Sequence, residues 1–282
     1  MVNTGCVGVM GSSATDAVQV INASGSSPFV LICDHASNRF PERYGDHGLT
    51  PHQRLMHVAW DPGALAVALS LVDRLDAPLV HSNVSRLIID CNRDIDAVDL
   101  IPVVSERTDI QANAGISQSE RDYRMENFHA PFHAAIDALL DTRLAENRET
   151  IVVTVHSFTP TYKDVVRPWP IGLIHGTDET FTRALREALE EDDPTLNVGW
   201  NEPYSARNGV TYTLEHHGDG RRLPATMIEI RHDTILEPPG VASWASRLAR
   251  CLQSAREGWL QRATTGHLGG AVPAAAAPNR QT

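Results

Sequence analysis

The segment Ile151–Phe158, IVVTVHSF, constrains the fold of this chain more than any other. Five apolar or β-branched residues precede His156 there. This pattern is typical of a strand that is buried on both faces in a parallel sheet. In open α/β sheets, ligands bind just beyond the carboxyl ends of the strands. The segment therefore predicts a central strand whose end delivers His156 to a functional site.

Two other segments repeat this arrangement. The apolar run Phe29–Cys33 leads directly into Asp34 and His35. Thr226–Arg231 carries Glu229 between two isoleucines. Because parallel strands end at the same edge of a sheet, we expect the three segments to form three walls of one site.

The order of the elements predicts the architecture. Strand and helix patterns alternate over residues 28–262 without a linker, which indicates one catalytic α/β domain. We expect three layers, α/β/α, around a mixed, mostly parallel sheet. Residues 1–27 are expected to be flexible apart from a short strand at Ala17–Ile21, and the Gly/Ala/Pro-rich residues 263–282 to form a disordered tail.

Local signals predict individual elements. In Asp61-Pro62-Gly63, Asp61 is the expected N-cap of a helix and Pro62 its first residue. The apolar run Arg86–Asp90 predicts a further strand. Ser117–Asn147 predicts a long helix that begins with a capping box and is divided at Pro131. Residues 94–116 are expected to form a long loop, and residues 197–225 a turn-rich segment with short strand-like pieces.

Composition limits the class of partner. Lys and Arg total 24 against 35 Asp and Glu, and the net charge of −11 argues against nucleic acid and anionic membranes as partners. The four cysteines show no paired spacing, which favours a reduced, cytoplasmic protein. We find no signal-peptide pattern and no run of about 18 apolar residues. A soluble cytoplasmic protein is expected, and the sequence leaves open whether it forms a homo-oligomer.

His35, Asp61 and His156 are the candidate metal ligands. A hydrolytic zinc site takes three nitrogen or carboxylate ligands and keeps one position for water. The alternative is that the histidines are ordinary polar residues at strand ends and Asp61 only caps a helix. Asn38, three residues after His35, is a rival third ligand, although a neutral amide binds zinc poorly.

Glu229 is the candidate general base. A carboxylate flanked by apolar residues on a strand costs several kcal/mol to bury unless it is paired or used. In the functional interpretation it takes a proton from the attacking water and passes it to the leaving nitrogen. In the structural interpretation it forms an ion pair with Arg231.

Several side chains are candidates for holding a substrate carboxylate. Arginine binds carboxylates through two parallel hydrogen bonds, so a small acidic substrate would suit them. The candidates are Arg86, Asn92, Arg93 and Arg167. The alternative for the first two arginines is a set of salt bridges with neighbouring aspartates.

Two groups of histidines stay ambiguous in the sequence. His129 either polarises a substrate carbonyl as a catalytic residue or packs in the core. His216 and His217 are metal-like in composition, but their surroundings, E-H-H-G-D-G, favour a solvated turn.

Six short motifs occur in a fixed order along the chain. They are DHASNRFP, HVAWDPGA, SRLIIDCNR, FHAPFH, VTVHSF and MIEIRHD. In this order they resemble the N-formylglutamate amidohydrolase family, and the similarity extends from Phe29 to Leu252. The resemblance implies a zinc carboxypeptidase-like fold, with a mixed eight-stranded sheet between helices.

The resemblance also implies zinc-dependent hydrolysis of an amide bond on an acidic amino acid. The residues that match the functional positions of that group are His35, Asp61 and His156 for the metal, Asn92 and Arg93 for the substrate carboxylate, and Glu229 for the base. This chain lacks a Glu three residues after His35, so the carboxylate ligand differs from the common pattern.

The expected function is hydrolysis of N-formyl-L-glutamate or a related N-acyl amino acid with Zn²⁺ or another divalent metal. One alternative is a zinc peptidase or peptidoglycan amidase that acts on a larger substrate. Another is a metal-binding relative without turnover. A serine hydrolase is disfavoured because the chain has no G-x-S-x-G motif.

Overall fold

A computed structural model describes residues 17–204 and 209–265. The strands are β1 (Val18–Ile21), β2 (Phe29–Cys33), β3 (Leu79–Ser82), β4 (Val104–Ser105), β5 (Thr108–Asp109), β6 (Ile151–Phe158), β7 (Thr161–Tyr162), β8 (Val165–Val166), β9 (Ile171–Ile174), β10 (Val198–Trp200) and β11 (Ala225–Arg231). The helices are α1 (Pro51–Leu55), α2 (Ala64–Leu75), α3 (Gln118–Arg124), α4 (Ala130–Ala145), α5 (Thr180–Asp192), α6 (Tyr212–His217) and α7 (Pro238–Thr264). The flexible segment and the tail that the sequence predicts lie largely outside the described residues.

Seven strands form one mixed sheet in the order β1-β3-β2-β6-β11-β9-β10. The strands β3, β2, β6 and β11 run parallel to one another, while β1 and β9 are antiparallel to their neighbours β3 and β11. The predicted mixed, mostly parallel sheet is confirmed, and β6 is central and buried along its whole length. In the described residues this sheet has seven strands rather than the eight that the resemblance implies.

Side chains of the central strands alternate between two cores. Leu31 and Val153 pack against α2, α5 and α7 on one face. Val30 and Val152 pack against α4 and α6 on the other face. Helices therefore cover both faces, which explains the uninterrupted apolar runs and confirms the three layers. None of the helices in the two described ranges has the length and the apolar composition to cross a membrane.

The prediction of a strand at Arg86–Asp90 is wrong. The segment forms turns, and the Ile88 amide donates to the Ser85 carbonyl at 2.9 Å. Its apolar side chains, among them Leu87 and Ile89, enter a third core. Burial alone thus accounts for the apolar run, because a short run of this kind does not distinguish a strand from a buried turn.

The start of α2 also differs from the prediction. The helix begins at Ala64, and its N-cap is Gly63 rather than Asp61. Gly63 has a φ of +83°, and a Cβ atom there would lie 2.5 Å from the carbonyl oxygen of Ile235. This left-handed turn needs glycine. It leaves the Asp61 carboxylate free to face β6, where Oδ2 lies 2.9 Å from Nδ1 of His156.

The division of Ser117–Asn147 is confirmed. Ser117 caps α3 by accepting from the Glu120 amide at 3.2 Å, although the Glu120 carboxylate binds an arginine of the same helix instead of completing the capping box. A π-helical turn at Met125–His129 separates α3 from α4, and Pro131 lies in the first turn of α4. Proline is tolerated there because the first amides of a helix have no intrahelical partner.

The predicted loop and the predicted turn-rich segment both contain regular structure, and β10 is one of the short strand-like pieces expected in the second segment. Residues 94–116 include the small hairpin β4–β5, and residues 197–225 include β10 and α6. The sequence did not predict α6, which ends at His217, because Gly218 and Gly220 directly after it favour a turn.

Candidate active site

Three neighbouring strands deliver the central side chains of the site. β2, β6 and β11 are adjacent and parallel, so their carboxyl ends lie at one edge of the sheet. Glu229 is the register partner of His156, and His35 lies two residues beyond β2. The structure thus brings together the three segments that the sequence predicts to share a site.

His35, Asp61 and His156 form a buried cluster. Their candidate ligand atoms lie within 4.8 Å of one another. Oδ2 of Asp61 is 3.4 Å from Nδ1 of His35 and 2.9 Å from Nδ1 of His156. Two imidazole nitrogens and a carboxylate oxygen are the ligand types of a hydrolytic zinc site.

Each of these histidines has a second carboxylate behind it. Nε2 of His35 donates to Oδ1 of Asp90 at 2.7 Å, and Nε2 of His156 lies 3.1 Å from Oδ2 of Asp34. With Nε2 of His35 protonated, its Nδ1 carries a lone pair, and this buried atom has no hydrogen-bond partner. An unpartnered ring nitrogen that faces a carboxylate fits a divalent cation, and carboxylates behind ligand histidines are typical of metal sites.

The pKa values of the cluster also show that its carboxylates favour a positive charge beside them. Burial opposes charge on His156, but the carboxylates of Asp34 and Asp61, which accept from its ring, hold the pKa of His156 well above its usual value. Burial opposes charge on Asp61 as well, yet the two histidines hold the pKa of this carboxyl below its usual value. The carboxylate is therefore ionised at neutral pH.

Asp34 and Asp90 are site residues that the sequence reasoning missed. Asp34 precedes His35 directly, and Asp90 ends the segment that was predicted as a strand. Both are buried. Their signal in the sequence is an acidic residue beside a candidate ligand or at the end of an apolar run.

Asn38, the rival ligand, makes a different contact. Its amide donates to the carbonyl oxygen of Arg54 at 3.0 Å. Between the two histidines the structure places Asp61, as described above.

Glu229 is buried and lacks a hydrogen bond at Oε2 among the described residues. The alternative ion pair with Arg231 is absent, because Arg231 donates to Asp233 at 2.8 Å. Burial, together with the nearby Asp61 carboxylate, raises the pKa of Glu229 to about 7, although His156 acts in the opposite direction. A carboxyl group with this pKa can accept and release a proton near neutral pH.

A cavity of about 490 Å³ opens beside these residues. The predicted substrate-binding residues among its lining side chains are Arg86, Asn92, Arg93 and Arg167. The cavity therefore places three arginines next to Glu229 and the His35–Asp61–His156 cluster, together with the carboxylates of Asp90, Asp99 and Glu106.

Two of the three arginines already have carboxylate partners, and the Asn92 amide is bound by the backbone. Arg86 donates to Asp90 at 2.7 Å, and Arg93 donates to Asp99 at 2.9 Å. The Asn92 amide is bound on both sides by backbone groups of residues 210 and 213. Arg86 thus forms the alternative salt bridge with Asp90, whereas the close partner of Arg93 is Asp99, which the sequence did not indicate.

Arg167 differs from the other two arginines. It stacks on Phe158, Tyr162 and Tyr204 and donates to the Tyr204 hydroxyl at 3.3 Å. Within residues 17–204 and 209–265, no carboxylate lies within salt-bridge distance of it. Its charge is therefore available to an acidic substrate.

His129 does not line the cavity. It is buried, and its Nε2 lies 3.0 Å from the carbonyl oxygen of Arg93, to which it donates. The structure thus places His129 behind Arg93 rather than against the space for a substrate.

The prediction of a solvated turn at His216 and His217 is wrong. Both belong to α6, and His217 is 0% exposed while His216 faces solvent. The helix packs against the sheet through Leu214, which buries one of the two rings.

Comparisons with known proteins show the fold and the family of the chain. A gene product of Agrobacterium tumefaciens of known crystal structure is 37% identical and superimposes with a TM-score of 0.84, covering 87% of this chain and 96% of the relative. The N-formylglutamate amidohydrolase of Ralstonia eutropha is 17% identical with a TM-score of 0.61 and shares the fold, covering 86% of this chain and 98% of that protein. A search of curated proteins gives no match.

The family itself follows from the sequence match together with the fold. The sequence model of the N-formylglutamate amidohydrolase family matches residues 27–236, which include every member of the cluster and Glu229. On this match, and on the 37% identity above, the chain belongs to the N-formylglutamate amidohydrolase family.

Proposed function

We propose that the protein hydrolyses the amide bond of N-formyl-L-glutamate or a related N-acyl amino acid, releasing formate or another carboxylate and the free amino acid. Family membership supports amidohydrolase activity. The observation that carries the proposal is Glu229, a buried carboxylate without a partner at Oε2 among the described residues, beside a cluster of metal-ligand type.

His35, Asp61 and His156 would hold Zn²⁺ or another divalent metal. When bound, the metal supplies Lewis acidity that polarises the amide carbonyl and lowers the pKa of water to about 7. Asp34 and Asp90 would orient the two histidines from behind and keep their Nδ1 atoms directed at Asp61.

Glu229 would act as the general base and then as the general acid. It would take a proton from the attacking water and deliver that proton to the nitrogen of the leaving amino acid. Its pKa of about 7 allows both transfers near neutral pH. The buried surroundings also keep bulk water away from the proton that it carries.

The arginines of the cavity would bind the acidic part of the substrate. Arg167 has no carboxylate partner within the described ranges, so it gains most from a substrate carboxylate. Arg86, Asn92 and Arg93 would complete this side of the cavity. His129 would then act through the backbone of Arg93 as a positioning residue, which replaces the predicted direct role on the carbonyl.

The size of the cavity favours a small acidic substrate over a polymer. About 490 Å³ with three arginines in the lining suits an N-acyl amino acid. For location we propose the cytoplasm, because the described cysteines, Cys33, Cys91 and Cys251, are free and buried.

The test is formate release from N-formyl-L-glutamate, with N-acetyl-L-glutamate and N-formyl-L-glutamine as comparison substrates. Activity should disappear on chelation and return when zinc is added back. An untreated protein of correct metal content that releases no carboxylate from any N-acyl amino acid would refute the proposal.

A further inference from the structure

A second group of histidines lies at the C-terminal end of α6, outside the lining of the active-site cavity. His216 and His217 end this helix, and Asp137 of α4 faces them. Candidate ligand atoms of the three residues lie within 4.8 Å of one another. Asp137 and His216 border an open concavity that Asp94 and Glu215 also line, while the ring of His217 is buried.

The protonation state of His217 is fixed by a chain of hydrogen bonds. Nε2 of His133 lies 2.9 Å from the carbonyl oxygen of Cys91, which can only accept, so Nε2 of His133 carries the proton. When the ring is uncharged, Nδ1 of His133 then carries a lone pair. This atom lies 2.8 Å from Nε2 of His217, which must therefore donate.

This chain of hydrogen bonds determines whether Nδ1 of His217 carries a proton. In the uncharged ring this nitrogen carries a lone pair, and it is buried without a hydrogen-bond partner. It lies 3.2 Å from Oδ1 of Asp137. A lone pair that faces a carboxylate oxygen at this distance is unfavourable unless a cation lies between or beside them.

We propose that Asp137, His216 and His217 form a second metal site, which takes a divalent ion of the zinc class. Imidazole nitrogens and a carboxylate are suitable ligands for Zn²⁺, Ni²⁺ or Cu²⁺, and the open side of the concavity leaves room for water as a fourth ligand. The proposal does not depend on the reaction proposed above, because none of the three residues lines the active-site cavity.

Arg221 restricts which carboxylate oxygen of Asp137 can bind the ion. Its guanidinium donates to Oδ1 of Asp137 at 2.7 Å and to Asp141 at 2.5 Å. Because the contacts of Arg221 and His217 with Asp137 both involve Oδ1, the ion takes the second carboxylate oxygen. Arg221 is itself a cation beside Oδ1, so it offsets part of the repulsion between this oxygen and Nδ1 of His217. It also holds Asp137 in place and lowers the affinity for an ion.

A metal ion bound by Asp137, His216 and His217 would stabilise α6, the helix that supports the active site. Thr213 of α6 donates through its hydroxyl to Asp34, the carboxylate behind His156. Its amide donates to Asn92 at 3.0 Å. An ion at the end of α6 therefore stabilises the position of Thr213 and acts as a structural metal.

Zinc stoichiometry tests the proposal with the full chain. Metal-free protein is dialysed against micromolar Zn²⁺, and the zinc content per chain is measured by elemental analysis. We expect two zinc ions per wild-type chain and one in His216→Ala, whose exposed side chain can be truncated without disturbing the core. His52→Ala, which removes another exposed histidine, is the matched control and should keep both ions.

A third variant separates this proposal from the active-site metal. His35→Ala should lose one ion and keep the one bound at α6, and the double variant His35→Ala/His216→Ala should bind none. If His216→Ala binds as much zinc as the wild type, the second site does not exist. If His35→Ala binds as much as the wild type while His216→Ala loses an ion, the second site stands and the active-site metal is refuted.

Discussion

Asp34 and Asp90 each place a carboxylate behind one of the clustered histidines, so both belong to the site although neither is a candidate metal ligand. Asp90 also accepts a hydrogen bond from Arg86, so one carboxylate orients both a candidate metal ligand and a candidate substrate-binding side chain. Asp34 likewise accepts a hydrogen bond from the hydroxyl of Thr213 in α6. Removing either carboxylate should therefore alter metal binding without altering the set of ligands.

We predict that Asp34→Asn lowers zinc affinity at the active site by about 10- to 100-fold, because His156 loses the carboxylate behind its ring. Competition with a zinc chelator measures this. The control is Asp73→Asn on the exposed face of α2, which should leave the affinity unchanged. An Asp34→Asn variant with wild-type zinc affinity would show that Asp34 does not support the ligand.

Arg167 offers a test of substrate binding. We predict that Arg167→Met lowers kcat/KM for N-formyl-L-glutamate by about 10- to 100-fold, mainly through KM, because a hydrogen bond to a charged group contributes about 1.5–3 kcal/mol. Methionine keeps apolar contact with the three aromatic rings around the guanidinium. Arg183→Met, on the surface of α5, is the control and should have wild-type kinetics. An unchanged KM in Arg167→Met would assign the substrate carboxylate to other residues.

The raised pKa of Glu229 also predicts an effect on stability in the metal-free protein. The carboxyl has a pKa of about 7 when folded and about 4.3 in an unfolded chain, so the folded state binds the extra proton between these values. The buried charge therefore costs nothing below about pH 4.3, and its cost grows until about pH 7 and is constant above.

Glu229→Gln should consequently be more stable than the wild type at pH 8, by on the order of 3 kcal/mol, with the difference vanishing near pH 4.5. Urea unfolding of both metal-free proteins at the two pH values measures this. A variant that is less stable than the wild type at pH 8 would mean that the Glu229 carboxylate is paired in solution.

At the scale of single elements, the sequence located most of the strands and helices. β2, β6 and β11 were predictable because strands buried on both faces are apolar throughout. The turn at Arg86–Asp90 was not predictable, since a buried turn and a buried strand produce the same apolar run. The helix α6 was also missed, because it is short and its formation depends on packing against the sheet rather than on its own sequence.

The start of α2 shows why the role of Asp61 needed the structure. Asp followed by Pro usually caps a helix, and the left-handed turn at Gly63 is what separates the carboxylate from the helix end. The ligand assignment made from the sequence and the geometry agree on Asp61, but the N-cap role does not hold.

Gly63→Ala tests this turn. We predict a loss of about 1–3 kcal/mol in stability, because the added Cβ would meet the Ile235 backbone at 2.5 Å and the residue has a positive φ. Zinc affinity should fall as well, since Asp61 is two residues away. Gly258→Ala in α7 is the matched control: its Cβ has room, and alanine in a helix should be neutral or stabilising. Wild-type stability and zinc affinity in Gly63→Ala would contradict this account of Asp61.

At the scale of the whole molecule, the sheet order brings residues 35, 61, 156 and 229 together from distant parts of the chain. The sequence motifs contain these residues, but only the sheet order shows which strands are neighbours. The net charge of −11 would repel an acidic substrate, and the arginines of the cavity offset this locally. The partners of these arginines, such as Asp99, could not be read from the sequence, because they depend on the path of the loop at 94–116.

The most direct test of the central claim is the turnover of N-formyl-L-glutamate by zinc-loaded Glu229→Gln. The amide keeps the size of the side chain but cannot accept the proton, so we predict normal zinc content and folding with a kcat at least about 100-fold below the wild type. Glu257→Gln, on the exposed face of α7, should retain the wild-type rate. A kcat close to the wild-type value in Glu229→Gln would contradict the account.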